Sequence, residues 1–554
     1  MSDATLSNAP LADSEWWRGA VIYQVYPRSY ADTTGTGVGD LNGITAHLDH
    51  IASLGVDALW ISPFFKSPMK DYGYDVSDYR DVDPLFGSLN DFDHLVARAH
   101  ELGLKVLIDK VLSHTSDQHA WFQESRQDRT NPKADWYVWA DPKADGTPPN
   151  NWLSVFGGSA WAWEPRRGQY YLHNFLAEQP DLNFWNEGTV DAILAECAFW
   201  LDRGVDGFRL DTANFYTHDR QLRDNPPKPP GARLEHGAMR GNPYAMQDHR
   251  YDKSQPDNMV FLARLRALLD RYPGATSVGE VSDDNALITA ATYTRGGKHL
   301  HMAYTFDLLA EECDAAYIRE RITFLEDHIE DGWPCWSFSN HDVVRVATRW
   351  ANGGDGATQR TMHLALLLSL RGSPCLYQGE ELGLTEADLP YEALQDPVGL
   401  TFWPENKGRD GCRTPMPWSD APDAGFSEAT PWLPVPDEHR ARAVSLQEAD
   451  PGSVLNACRR LVALRRHHPA LRLGSIAFFD APADVLVFER AHEDEHLLVV
   501  FNLGAEPRRF ADAVVDRCVP VNELDLGGVI GEGAVELPGY GAFLGTLKNS
   551  EGAR

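Results

Sequence analysis

The feature that most restricts how this chain can fold is an alternation. From Val21 onward, short runs rich in β-branched and aromatic residues alternate with longer stretches of helical periodicity. That is the signature of βαβ units, whose strands pair in parallel beneath covering helices. The strand-like runs are 21–26, Ala58–Ile61, 106–109, Gly207–Leu210, 276–279, 303–306, 335–338 and 374–376. Phe92, Leu95, Val96, Ala99 and Leu102 mark one intervening helix face; Leu455, Cys458, Leu461, Val462 and Leu464 mark a later one. Eight such alternations predict an α/β fold, a (β/α)8 TIM barrel.

Two segments break the rhythm. Residues 113–183 are rich in Trp, Pro, Gly and Asn, too long for a βα loop and too aromatic for a disordered one, which predicts an inserted small domain. A second irregular stretch, 225–255, carries Pro226, Pro227, Pro229, Pro230 and Pro243 and is expected to form a lid over the barrel mouth. Beyond about residue 469 the pattern becomes the alternation of half-buried strands, as at Val485 and Val487 and again at Leu498 and Val500. Leu537-Pro538-Gly539-Tyr540-Gly541-Ala542 sets a turn before a last strand near Phe543 and Leu544. The expected organisation is a barrel built from 1–112 and 184–469, the insertion at 113–183, and a C-terminal antiparallel β domain at 470–554.

Composition excludes several functions. With 50 Lys+Arg against 81 Asp+Glu the formal charge is −31, which repels phosphate backbones and anionic lipid, so neither nucleic acid nor a membrane is an expected partner. Solubility is the plainer reading of that charge, and it identifies no substrate. The cysteines (Cys197, Cys313, Cys335, Cys375, Cys412, Cys458, Cys518) are scattered and never spaced as CxxC, arguing against a disulfide framework or zinc and for a reducing cytosol. No basic start with an apolar run opens the sequence, and no stretch of about 20 apolar residues occurs, so a cytoplasmic location is expected. Oligomeric state is not legible.

Catalytic groups of such barrels sit at the carboxyl ends of the strands. Gly207-Phe208-Arg209-Leu210-Asp211 puts a carboxylate there, with Arg209 two positions earlier on the same side; Val278-Gly279-Glu280 adds a second acid, and Ser339-Asn340-His341-Asp342 an imidazole and a third. A guanidinium nearby keeps a carboxylate ionised. Glycosidic cleavage needs this set: one carboxylate to attack the anomeric carbon and one acid of raised pKa to protonate the leaving oxygen. Taken singly, each motif reads equally well as a helix cap or an ion pair; their joint placement is what carries weight.

At these residues the sequence resembles glycoside hydrolase family 13, the α-amylase superfamily, within its α-glucosidase and oligo-1,6-glucosidase group. The resemblance also runs through Val25-Tyr26-Pro27-Arg28-Ser29, Asp40-Leu41-Asn42-Gly43-Ile44, Asp71-Tyr72-Gly73-Tyr74-Asp75-Val76 and Asp109-Lys110-Val111-Leu112-Ser113-His114-Thr115. It implies Asp211 as nucleophile, Glu280 as acid/base and Asp342 as transition-state stabiliser. It implies further that Asp71, Tyr74, His114, Arg209 and His341 hold the glucosyl ring. Arg409, ahead of Arg413-Thr414-Pro415-Met416-Pro417-Trp418, resembles the arginine that pairs with Asp71 and blocks the far end of the pocket, which implies exo-action on a terminal glucose. Thr212 stands where α-1,6-specific members carry Val, implying α-1,4 substrates; sucrose and other short α-glucosides stay open, because one contact discriminates by only about 1–3 kcal/mol.

His114 and His341 can hydrogen-bond sugar hydroxyls, and Tyr74 offers a ring face. Phe156, Phe175 and Phe306 are candidates for the mouth, although among 23 Phe core packing is an equal reading. Relatives carry an Asp-x-Asn-x-Asp-Gly-x-Gly-Asp loop that binds calcium or magnesium. Here Thr34 and Thr36 replace an amide and a carboxylate, leaving Asp32, Asp40, the Val38 carbonyl and Thr36 as ligands, or else a metal-free turn pinned by Gly37, Gly39 and Asp32. No organic cofactor is implied. The partners implied are small sugar substrates and sugar or alcohol acceptors. The alternatives are a sucrose-acting glucosyltransferase or isomerase, whose Arg-Leu-Asp-Arg-Leu loop is missing here, and an inactive binding subunit, which would lose acids this chain keeps.

Overall fold

A computed structural model describes residues 13–231, 242–351, 356–521 and 526–548. Its central sheet consists of β1 (Ile22–Val25), β2 (Ala58–Ile61), β3 (Lys105–Lys110), β4 (Gly207–Leu210), β5 (Thr276–Val281), β6 (Met302–Thr305), β7 (Cys335–Ser337) and β8 (Ser373–Tyr377). They pair in parallel in the order β6, β5, β4, β3, β2, β1, β8, β7, and a parallel bridge between Ala303 and Pro334 joins the two ends, so the sheet closes into a barrel. All eight expected runs are barrel strands, two with unchanged bounds and six with ends moved by one or two residues.

Period-two alternation sorts the strand residues. Ile22, Trp60, Leu107, Val278, Met302 and Cys375 point inward and fill the barrel as one cluster. Leu59, Ile61, Val106, Ile108, Phe208 and Leu210 point outward into the core shared with the helices. The helix Leu89–Glu101 shows how local sequence fixes that layer: Ser88 and Asp91 form a capping box, and Phe92, Leu95, Val96 and Ala99 form its buried face.

Between β3 and β4 the chain forms a three-stranded antiparallel sheet, Trp139–Ala140, Gln169–Leu172 and Trp161–Glu164, with Gln169–Leu172 in the middle. Val138, Trp152, Ala160, Trp161 and Leu172 give it a small core of its own. A bridge from His114 to Asp181 brings the two ends of the segment together at the top of the barrel. Of the expected lid at 225–255, residues 232–241 lie outside the described residues; the rest folds against the insertion, where Asn242 Nδ2 donates to the Val155 carbonyl at 2.7 Å.

The C-terminal region is a five-stranded antiparallel sheet facing a three-stranded one. Its strands Val485–His492 and Glu495–Asn502 differ from the half-buried expectation. One face, with Val485, Val487, Leu498 and Val500, packs against Phe510 and Val535 of the smaller sheet; the other, with Leu486, Phe488, Val499 and Phe501, joins the core around the barrel. Alternation persists because two different apolar layers alternate. Among the described residues no helix is long and apolar enough to cross a membrane.

Candidate active site

Strand register brings the charged groups together. Asp109 on β3 stands beside Arg209 on β4, and Glu280 on β5 stands beside Tyr304 on β6, so all four occupy the upper end of the barrel interior. Arg209, only 1% exposed, is the hub. Its Nη1 donates to Asp109 Oδ1 and Asp211 Oδ1, both at 2.8 Å, and its Nη2 lies 2.8 Å from Glu280 Oε2. Burial pushes Asp211 and Glu280 up to about 7 and Asp109 up to about 6; Arg209 opposes this, while the neighbouring carboxylates add to it. One cation among three buried acids retains a proton near neutrality, as general acid catalysis requires.

Asp342 has the opposite environment. It accepts from Arg413 Nη2 at 2.9 Å and Arg409 Nη1 at 3.2 Å, with His341 Nε2 also 3.2 Å away. Burial opposes ionisation, but His341 and the two guanidiniums outweigh it and hold this carboxyl below the usual range. Arg409 Nη2 reaches Asp71 Oδ1 at 2.9 Å and Asp396 Oδ1 at 2.7 Å, and Gln179 Nε2 donates to Asp71 Oδ2 at 3.2 Å. Asp71, Asp342 and Arg409 of this knot line a cavity of about 170 Å³.

The sequence-derived candidates fall into two groups. Asp71, Tyr74, His114, Phe156, Phe175, Asp211, Thr212, Glu280, Phe306, Asp342 and Arg409 all line that cavity. Arg209 and His341 do not: both lie one layer beneath its surface. Burial lowers His341 to about 3, and Gln24 Nε2 at 2.8 Å from its Nδ1 leaves Nε2 carrying the hydrogen, aimed at Asp342 and the Tyr74 hydroxyl. Arg209 and His341 therefore orient groups of the wall. Thr212 has φ +42°, a left-handed conformation costly for a β-branched residue; there its amide donates to Glu280 Oε2 at 3.1 Å, and its hydroxyl lies 3.4 Å from Asp211 Oδ2.

Sequence reasoning passed over Asp109, Gln179, Asp396, Tyr304 and Arg413. Asp109 ends an apolar strand run and was open to the rule that found Asp211. Gln179 and Asp396 lie in irregular segments with no period to mark them. Val155, Phe215, Tyr244 and Val343 also line the cavity, and the Arg409 guanidinium lies 5.3 Å from the Phe156 ring, so the charged and apolar parts of the wall adjoin.

The 32–40 loop does not fit a divalent cation. Asp32 Oδ1 accepts from the amides of Thr34 at 2.8 Å and Gly35 at 2.9 Å, and Oδ2 from the Gly37 amide at 2.7 Å and the distant Ser427 hydroxyl at 2.6 Å. Asp40 accepts from the Thr33 and Gly43 amides, at 2.8 and 2.7 Å, while the Thr36 hydroxyl turns to the Val38 carbonyl at 3.3 Å. Both carboxylates are spent on protein donors, and Gly37, at φ +81°, lets the loop turn tightly enough to do so. Hard cations need several free oxygens, which this loop does not offer.

Comparison with known proteins agrees with this geometry. Residues 24–474 match the family model "Alpha amylase, catalytic domain". A probable alpha-glucosidase of Rhizobium meliloti (strain 1021) is 55% identical over 98% of this chain and 99% of its own. An oligo-1,6-glucosidase of Heyndrickxia coagulans is 37% identical over 89% and 92%. Among solved structures, the alpha-glucosyl transfer enzyme XgtA superposes with a TM-score of 0.94 at 59% identity, covering 96% of this chain and 99% of the other. The trehalulose synthase of Pseudomonas mesoacidophila MX-45 superposes with 0.86 at 32% identity, over 96% and 99%. The chain belongs to the α-amylase catalytic-domain family and is a glycoside hydrolase of its α-glucosidase group.

Proposed function

We propose that this enzyme removes one glucosyl unit from the non-reducing end of short α-glucosides by double displacement with retention, passing it to water or to a sugar or alcohol. The observation that carries this reading is a pocket with the Asp71–Arg409 ion pair in its wall and two carboxyls on one guanidinium, that of Arg209. Asp211 attacks the anomeric carbon while Glu280 protonates the leaving oxygen; Glu280 then takes the proton of the acceptor that releases the sugar. Asp342, held ionised, faces the positive charge that develops on the ring. Retaining pairs stand about 5–5.5 Å apart, a spacing that a shared guanidinium favours.

The Asp71–Arg409 ion pair supports exo-action, on the reading that it closes the pocket to a continuing sugar chain. Thr212 next to the nucleophile supports α-1,4 linkages. Transfer to acceptors is supported by the apolar wall of Phe156, Phe175, Phe215 and Phe306 and by the names of the two similar structures. The test is product analysis on maltose, isomaltose, trehalose and sucrose, with and without an alcohol, alongside a maltooligosaccharide blocked at its non-reducing end. Glucose from maltose, an alkyl glucoside when alcohol is present, and an untouched blocked chain are expected. Cleavage of the blocked chain rejects the exo reading.

A further inference from the structure

Tyr304 is a phenol at the centre of the charged cluster that the reaction scheme leaves without a part. Parallel pairing of β5 with β6 sets it directly beside Glu280, and both side chains face the barrel interior. It is 3% exposed, wedged between Trp60 and Phe306, and is not part of the cavity wall. Its oxygen lies 2.8 Å from Arg209 Nη2, 3.2 Å from Arg209 Nε and 3.0 Å from Glu280 Oε1.

These distances assign the hydrogens. A guanidinium only donates, so the phenol oxygen spends both lone pairs on Arg209, and its own hydrogen is left for Glu280 Oε1. Because that oxygen can accept no third hydrogen bond, Oε1 always accepts from the phenol, while Oε2 accepts from Arg209 Nη2 and the Thr212 amide. Arg209, by bonding the phenol, also strengthens it as a donor.

We propose that Tyr304 is a positioning residue for the acid/base: its hydroxyl pins Glu280 Oε1 and stabilises the carboxylate form. This rests on the reading of Glu280 as acid/base. The groups facing Glu280 are Arg209 and Asp211 from β4, the Thr212 amide, Asp109 from β3, Asp342 after β7, and Tyr304 from β6. Burial and the three carboxylates raise its proton affinity; Arg209, the amide and the phenol lower it. Without the phenol Glu280 holds its proton more tightly, making it a weaker acid toward a poor leaving group and slower to return to its base form.

The experiment is Tyr304→Phe in the full-length enzyme, which keeps the ring and removes only the hydroxyl, with melting temperature as the check on folding. The alkaline limb of kcat/KM on maltose should move up by about 0.5–1 pH unit, and the rate should fall about tenfold. α-Glucosyl fluoride, whose leaving group needs no proton, should be processed within about threefold of wild type. A second variant, fluorotyrosine at position 304, keeps the bond with a more acidic phenol and should move the limb down. A folded Tyr304→Phe variant with an unmoved limb, or with both substrates slowed in parallel, overturns the proposal. Glu280→Gln in the same series separates the two claims. If it loses maltose but keeps the fluoride, only the role of Tyr304 is at stake. If it turns over maltose normally, the reading of Glu280 falls as well.

Discussion

The two ends of the pocket are built from different physics. At the closed end Asp71, Arg409, Asp396 and Asp342 form a buried ionic network in which almost every oxygen has a defined donor. Elsewhere in the wall, which we take as the open end, Phe175, Phe215, Phe306 and Val343 present apolar surface with few directional partners, and Phe156, 5.3 Å from the Arg409 guanidinium, joins the two parts. Charged hydrogen bonds fix distance and angle, whereas apolar contact scales with area and tolerates shape. The difference underlies the proposal that the donor sugar is specified and the acceptor is merely accommodated. It also explains how such a site discriminates strictly on one side of the bond and loosely on the other.

The largest effect should come from the chemistry between the two ends. Asp211→Asn should lose about 10⁴-fold in kcat on maltose while melting normally; near-normal turnover would remove Asp211 as nucleophile. Next comes the sealed end. Arg409→Ala strips a cation from Asp71, Asp396 and Asp342, so kcat/KM on maltose should fall about 100-fold and stability by about 3–5 kcal/mol, read by assay and by denaturant melts. A loss no larger than that of an open-end variant would erase the contrast between the ends.

At the open end, Phe175→Ala should lower the ratio of alcohol transfer to hydrolysis several-fold, the loss expected when about 1–2 kcal/mol of apolar contact is removed, with maltose hydrolysis changed less than about threefold. Equal losses in both would mean that this wall holds the donor sugar. The smallest effect belongs to the 32–40 loop. Its carboxylates already have protein donors, so EDTA should shift the melting temperature by less than about 1 °C, and added calcium should do the same. A drop of several degrees would show a bound cation.

How much of this was legible in the sequence follows from range. The strands β2 and β4 begin and end where the sequence pattern placed them: β2 is a continuous apolar run, and β4 is a short run of buried residues that carries Arg209 inward. The acids Asp211, Glu280 and Asp342 were legible because each stands at or shortly after the carboxyl end of a strand-like run. Arg209 was seen as a partner of Asp211, two residues away, but its bonds to Asp109 and Glu280 depend on the registers of β3, β4 and β5. Tyr304 looked like an ordinary strand aromatic for the same reason: only the pairing of β5 with β6 shows what stands beside it. Asp396 and Gln179 sit in loops whose paths are set by tertiary packing, where no local rule marks them. In the 32–40 loop, Thr34 and Thr36 signalled a departure from the family, and Ser427 supplied what the sequence could not disclose: a donor from nearly 400 residues away.

The central claim is that the glucosyl unit passes through Asp211 and leaves with its anomeric configuration unchanged. Proton NMR of the first minutes of p-nitrophenyl α-glucoside hydrolysis, in which every glucose comes from the bond broken, tests it before mutarotation mixes the products. The account predicts that α-glucose is released first, with the β anomer growing in only at the rate of mutarotation. Initial release of β-glucose would contradict it, and would require water rather than Asp211 to attack the anomeric carbon.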